Sequence, residues 1–172
     1  WGKTTVMAHV INTLLTEKVD PILVVVGGYK EEVSKILVDF PVNVVFNPNF
    51  MNGEMLDSLK VGLRNIPEYV QAGLIVLGDQ PQILGTTVQE IVKKYELAHS
   101  RMIIPSYKFR RGHPWLISRV LWEEIENINP PETLRDFLGK HTDEIDYLTV
   151  DTSTILQDLD TPEDYQNYRP AE

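Results

Sequence analysis

The sequence predicts an α/β fold in a single domain spanning residues 1–172, with a mostly parallel sheet covered by helices on both faces. Three observations carry this. Short, continuous β-branched runs such as Ile22-Leu23-Val24-Val25-Val26 have the hydrophobicity of strands buried on both sides. These runs alternate with stretches whose apolar residues recur at helical spacing, the order that yields parallel strands joined by crossover helices. The composition is 42% hydrophobic and 24% charged, which suits one packed core and not a disordered chain.

The elements follow in order. Residues 4–18 form a helix with Val6, Val10, Ile11, Leu14 and Leu15 on one face, and Asp20-Pro21 ends it. The 22–26 strand turns at Gly27-Gly28 into a helix over Lys30–Leu37. A second strand, Val42–Phe46, leads into the loop Asn47–Gly53, and a helix covers about 54–65 with Met55, Leu59 and Leu63 in phase. Gly73–Gly78 is a third apolar strand that runs straight into Asp79-Gln80-Pro81, followed by a helix over 86–98. A fourth strand spans 101–105, and 108–118 is an extended pair around Arg111-Gly112. Short helices at 119–127 and 132–140, a strand at 146–150, a short strand near Ile155 and a helix from Pro162 complete the chain. No repeat, low-complexity stretch or linker interrupts it.

Charge and residue content narrow the function. A net charge of −9 argues against broad binding along a nucleic-acid backbone. No apolar run approaches the length of a bilayer span, so no membrane role is expected. The chain has no cysteine, which removes disulfides and thiolate metal sites and is compatible with a cytoplasmic location. Ser-His-Asp, H-E-x-x-H and G-x-S-x-G patterns are absent, leaving nucleophilic and zinc hydrolases without support.

In open α/β sheets ligands bind beyond the carboxyl ends of strands. That rule selects Gly27-Gly28, Asn47–Gly53 and Gly78–Pro81. In the last, Asp79 follows a buried strand, Gly78 permits close approach and Pro81 fixes the path, a suitable setting for a hard cation such as Mg²⁺. A plain helix cap is the alternative role for Asp79. The acidic stretch Asp158-Leu159-Asp160-Thr161-Pro162-Glu163-Asp164 contains its own helix start, with Thr161 as cap and Pro162 at the first position. Asp158 and Asp160 precede that cap and are free to complete a metal site with Asp79. Lys108-Phe109-Arg110-Arg111-Gly112-His113 is the densest positive patch. Lys108 suits a solvated turn, while Arg110, Arg111 and His113 suit an anion.

These residues resemble the molybdenum cofactor cytidylyltransferase and guanylyltransferase family of nucleotidyltransferases. Asn47-Pro48, Gly53-Glu54-Met55 and Ser58-Leu59 resemble its N-P…G…S-(L/V) segment, and Gly78-Asp79-Gln80-Pro81 its G-D-x-P loop. Gly112-His113-Pro114 is similar to the G-H-P segment of the cytidylyl branch, and Asp158–Asp164 to the closing D-x-D-T-P-E-D. The four occur in the family's order over nearly the whole chain. The resemblance implies a Rossmann-like, three-layer α/β/α sandwich with a mixed sheet, of the nucleotide-diphospho-sugar transferase type. It implies Mg²⁺-dependent transfer of NMP, CMP by the G-H-P segment, from an NTP to molybdopterin-type molybdenum cofactor with release of pyrophosphate. Asp79 and Asp160 would then be catalytic metal ligands, with Asp158 the alternate second ligand. Asn52, Gly53, Ser58 and Gly78 would meet the nucleotide, and Arg111, Gly112 and His113 the acceptor. A molybdenum enzyme or its chaperone is the implied protein partner.

The family opens with a glycine-rich L-A-(A/G)-G-x-S-x-R-M-G segment, and Trp1 stands just after where it would end. A longer full-length protein is therefore expected, with Gly2-Lys3-Thr4 as the connector before the first long helix. Two other readings remain at this point: a P-loop kinase or NTPase in which Lys3-Thr4 ends the phosphate loop, and a non-catalytic cofactor-binding domain serving a molybdenum enzyme.

Overall fold

The computed structural model describes residues 1–51 and 54–170. The elements, in chain order, are α1 (Val6–Thr16), β1 (Leu23–Val26), α2 (Lys30–Leu37), β2 (Asn43–Phe46), α3 (Met55–Asn65), β3 (Ala72–Ile75), α4 (Gly85–Ala98), β4 (Met102–Tyr107), β5 (Arg110–Arg111), β6 (Trp115–Ser118), α5 (Trp122–Asn127), α6 (Leu134–Lys140), β7 (Ile145–Thr149) and α7 (Pro162–Tyr168). This is the mixed α/β architecture expected. The chain divides into two compact units, one made of residues 1–19, 74–117 and 145–172, the other of 20–73 and 118–144.

In the first unit β4 is the organising strand. Its Met102, Ile103 and Ile104 are at most 1% exposed, which makes it the floor of the core. β7 runs parallel along one edge, pairing Met102 with Ile145 through Ser106 with Thr149. β5 and β6 both lie antiparallel to β4, at Ser106–Arg111 and Ile103–Leu116 respectively. Ser106 pairs with both Thr149 and Arg111, so β5 occupies the edge opposite β7. The extended pair expected over 108–118 is therefore two short strands laid end to end on β4, and not a hairpin paired with itself. The actual turn is Lys108-Phe109, both in the left-handed region at φ 48° and 64°, the twist that a two-residue hairpin turn requires. α1 is capped by Thr5, whose Oγ1 accepts from Ala8 N at 3.2 Å, and α4 shares this unit.

The second unit holds the parallel pair β1–β2, in register from Leu23–Asn43 to Val26–Phe46. Helix α3 lies on β1 at Gly62, where an added Cβ would stand 3.4 Å from Val25 Cγ2. β3, β6, β4 and β5 follow one another in the larger sheet, with β7 on β4.

Two differences from the sequence reading lie next to the site. β3 ends at Ile75, although its apolar run continues through Leu77. The strand expected near Ile155 is a 3₁₀ turn over Ser153–Leu156. Thr152 Oγ1 accepts from Thr154 N at 3.3 Å, a local bond that competes with extended pairing. Among the described residues no helix is long and apolar enough to cross a membrane.

Candidate active site

Asp79 stands in the loop after β3. It does not cap α4, whose N-cap position is Leu84. Two hydrogen bonds tie this loop to the acidic segment near the C-terminus. Leu159 N donates to Asp79 O at 3.0 Å, and Gln80 Nε2 donates to Asp158 Oδ1. Three carboxylates, Asp79, Asp158 and Asp160, are thereby brought together. Asp79 is exposed as a residue, yet its carboxyl is partly buried. Partial burial pushes its pKa above the usual carboxylate range, and the negative charges of Asp158 and Asp160 push it the same way against its own backbone N–H.

A divalent ion held here would offset the negative charge that Asp158 and Asp160 bring to Asp79. Among the described residues no group of three or more His, Asp or Glu is arranged to hold a metal alone. Mg²⁺ needs no such cage, because it uses one or two carboxylates and takes its other oxygens from water and phosphates.

Beside the carboxylates lies Gly112-His113-Pro114, the gap between β5 and β6. Gly112 N continues the sheet by donating to Pro105 O at 3.0 Å, whereas His113 N turns away to Ile155 O at 3.0 Å. Gly112 is buried so tightly that an added Cβ would meet Ile155 O at 2.2 Å. The His113 ring stacks on Trp115 with centroids 4.3 Å apart and planes 17° off parallel, and Trp115 Nε1 in turn donates to Gly112 O at 2.8 Å. Burial lowers the His113 pKa, outweighing a hydrogen bond to the Ile75 backbone and the charge of Asp158. The ring is therefore neutral at pH 7. Its Nδ1 is buried and has no hydrogen-bond partner among the described residues.

The remaining predicted residues distribute as follows. Gly78 is exposed next to Asp79, and a Cβ there would meet only the Met7 terminus at 2.9 Å. Arg111 is exposed and its Nε donates to Tyr147 Oη at 2.8 Å, so its side chain is engaged along the sheet and not with His113. Thr161 caps α7 with Asp164 completing a capping box and Pro162 in the first turn, as the sequence indicated. Asn52 and Gly53 lie outside the described residues.

In the second unit the Gly27-Gly28 and Asn47–Met51 loops pack on each other. A Cβ on Gly27 would stand 2.6 Å from Phe50 Cβ. Ser58 accepts from Asn47 Nδ2 at 3.1 Å, and Asn47 Oδ1 accepts from Asn49 N at 2.9 Å. With Asn47 only 2% exposed, this is a loop brace anchored on α3.

Sequence reasoning missed Gln80, Trp115 and Asn47 as site residues. The spacing of His113 and Trp115, two apart entering a strand, puts both on one face and was a usable signal. Gln80 and Asn47 lie in loops the sequence selected, but nothing near them shows what their side chains do, because their partners are set by tertiary contacts. Gln82 was also missed: both its amide atoms are buried without a hydrogen-bond partner among the described residues.

Comparison with known proteins adds to this. A family model described as a MobA-like NTP transferase domain matches residues 1–145. No curated protein matches the chain. Among solved structures, Rv0371c of Mycobacterium tuberculosis H37Rv in complex with manganese is similar at a TM-score of 0.82 and 22% identity, over 95% of this chain and 86% of that one. A nucleotidyl transferase from Methanothermobacter gives 0.80 and 21%, over 96% and 79%. The 4-diphosphocytidyl-2C-methyl-D-erythritol synthase of Anaerococcus prevotii gives 0.77 and 14%, over 95% and 83%. At these identities the structural matches establish the fold.

Proposed function

This chain belongs to the MobA-like NTP transferase domain family, and from that premise we propose that it transfers CMP from CTP to the phosphate of a molybdopterin-type cofactor, with Mg²⁺, releasing pyrophosphate. The observation that carries the reading is the convergence of Asp79 and the Asp158–Asp160 segment, joined through Leu159 N and Asp79 O at 3.0 Å. The G-H-P segment, Gly112-His113-Pro114, supports the cytidylyl choice and the acceptor. A similar structure that holds manganese supports a divalent ion. A cytoplasmic setting, where NTPs are abundant, goes with the reading, as does hand-over of product to a molybdenum enzyme or its chaperone.

The chemistry asks little of the protein beyond placement. An oxygen of the acceptor phosphate forms a new bond to the α-phosphorus of the NTP. The bond from that phosphorus to the bridging oxygen breaks, and pyrophosphate leaves with the electron pair. A phosphate monoester is already a nucleophile near neutral pH, so no side chain needs to take a proton. Asp79 and Asp160 would hold the cation, which when bound supplies positive charge against the developing negative charge on the phosphates. Gly112 and His113 bind the acceptor, and the Trp115 stack holds the imidazole in one orientation while it does so. Ser58 and Gly78 meet the nucleotide in this reading, together with Asn52 and Gly53, and Arg111 meets the acceptor phosphate by leaving Tyr147.

The test is pyrophosphate release by the full-length protein with Mg²⁺, each of the four NTPs and molybdopterin-type cofactor. Release with CTP and cofactor alone supports the proposal. Release with GTP moves it to the guanylyl branch, and no release with any NTP removes it.

A further inference from the structure

The proposed reaction gives the Gln80 side chain no task. It is nonetheless only 3% exposed, unusual for a glutamine, while Gly78 and Asp79 before it are exposed. Its main chain is held on both sides, with its N–H bonded to Leu77 O at 3.4 Å and its carbonyl accepting from Ile83 N at 3.3 Å. That fixes where the side chain starts, and the carboxamide ends on Asp158 Oδ1. A buried amide donor spent on a charged acceptor is among the stronger neutral-to-ion hydrogen bonds.

The effect is to separate two aspartates that the sequence treats alike. Asp158 and Asp160 flank Leu159, whose N–H is fixed to Asp79 O. Residues two apart on extended chain project to the same side, and the charges of both act on Asp79, that of Asp158 more strongly than that of Asp160. Asp158 is half-buried, has one oxygen bound by Gln80, and its charge is felt at His113. Asp160 is exposed, and no hydrogen bond to its carboxylate occurs among the described residues.

We propose that Gln80 is a positioning residue: its carboxamide fixes the Asp158 carboxylate on the His113 side of the site and so leaves Asp160, not Asp158, to complete the cation site with Asp79. The inference rests on the nucleotidyl-transfer reading above and assigns the division of labour within that site.

The experiment compares Asp79→Asn, Asp158→Asn, Asp160→Asn and Gln80→Met in the full-length protein. Mn²⁺ binding in the presence of CTP is followed by the loss of the free-ion paramagnetic resonance signal, and KM and kcat are measured separately for CTP and for the acceptor. Asp160→Asn and Asp79→Asn are expected to weaken Mn²⁺ by about tenfold or more. Asp158→Asn and Gln80→Met should leave Mn²⁺ affinity within about twofold and raise the acceptor KM, with the double variant no worse than Asp158→Asn alone. Asp158→Asn does not depend on whether Gln80→Met folds.

Mn²⁺ binding weakened by Asp158→Asn as much as by Asp160→Asn would overturn the proposal while leaving the nucleotidyl-transfer reading standing. Additive losses of acceptor affinity in the double variant would overturn the role of Gln80 specifically. If neither Asp79→Asn nor Asp160→Asn alters Mn²⁺ binding, the cation site itself is misassigned and both readings fall.

Discussion

The main-chain N–H of Leu159 donates to the carbonyl oxygen of Asp79 at 3.0 Å. One backbone bond thus sets the spacing between the carboxylate at the end of β3's apolar run and the two carboxylates of the C-terminal acidic stretch. Because the bond is main chain to main chain, substitution of any one aspartate leaves the framework in place. The aspartates can therefore be tested singly.

Asp79→Asn separates function from stability. In the proposed reaction it removes a cation ligand, and pyrophosphate release should fall by roughly 10² or more. The same change should leave the metal-free protein at least as stable as the wild type. The reason is sign: partial burial and neighbouring negative charge hold the folded pKa of Asp79 above its unfolded value. A carboxyl shifted that way disfavours the folded state once pH exceeds its pKa, so an uncharged isostere relieves the cost at neutral pH. Thermal unfolding in chelator, alongside pyrophosphate release, checks both halves. Unaltered activity would remove Asp79 from the cation site.

His113→Ala tests the acceptor side. The ring is held by the Trp115 stack at 4.3 Å and is neutral, so it acts by hydrogen bonding and shape. The acceptor KM should rise about tenfold, with the CTP KM changed far less. Steady-state kinetics with each substrate varied in turn is the measurement, and equal effects on both substrates would place the acceptor elsewhere.

Much of this arrangement was legible in the sequence, for reasons that are local. Thr161-Pro162-Glu163-Asp164 announces a capped helix because the capping chemistry is satisfied within four residues, and α7 begins there. The β-branched run before Gly27 and the acid after Leu77 are likewise readable from neighbours alone. What escaped depends on partners distant in sequence. Nothing near Arg110–Ser118 reveals that β5 and β6 both lie on β4, because that choice is made by pairing at Ser106 and Ile103. Gln80 reads as a turn residue until Asp158 is seen at its amide, and Asn47 as a loop residue until Ser58 is seen beneath it. Trp115 reads as a strand residue until its ring is found against His113.

Gly112 and Gly78 both flank the site, and they should respond differently to a methyl group. At Gly112 an added Cβ would stand 2.2 Å from Ile155 O and 2.7 Å from Ile155 Cδ1 and Cγ1. A backbone oxygen that already accepts from His113 N has no room to retreat. Gly112→Ala should therefore cost about 1–3 kcal/mol. At Gly78 the nearest atom is the Met7 Cε at 2.9 Å, the end of a flexible side chain that can rotate away. Gly78→Ala should cost well under that amount. Urea unfolding of the two variants side by side is the check, and the reverse order would mean the His113 loop yields more readily than its contacts indicate.

In the second unit His141 supplies a pH dependence whose sign follows from geometry. Its Nδ1 lies 2.8 Å from Glu144 Oε1 and its Nε2 2.8 Å from Glu124 Oε1, while its ring packs on Phe137 at 4.5 Å. Carboxylates only accept, so both ring nitrogens must donate, and that is the imidazolium form. Burial opposes the charge, but the two hydrogen bonds and the two negative charges outweigh it, and the folded pKa is raised. A raised folded pKa means the native state binds more protons than the unfolded chain, so this contribution falls as pH rises. It is present in full below about pH 6.5, the ordinary histidine value, and is lost as pH climbs through the folded pKa. Above that range only a neutral ring remains, able to donate to one of its two partners, and the link from α5 through His141 to Glu144 is half undone. His141→Gln keeps a donor but cannot carry the charge. The stability difference between wild type and His141→Gln, measured by urea unfolding across this range, should therefore be largest in acid and shrink toward alkaline pH. A difference that stays constant with pH would mean the two carboxylates hold a neutral ring, with one of them carrying the proton.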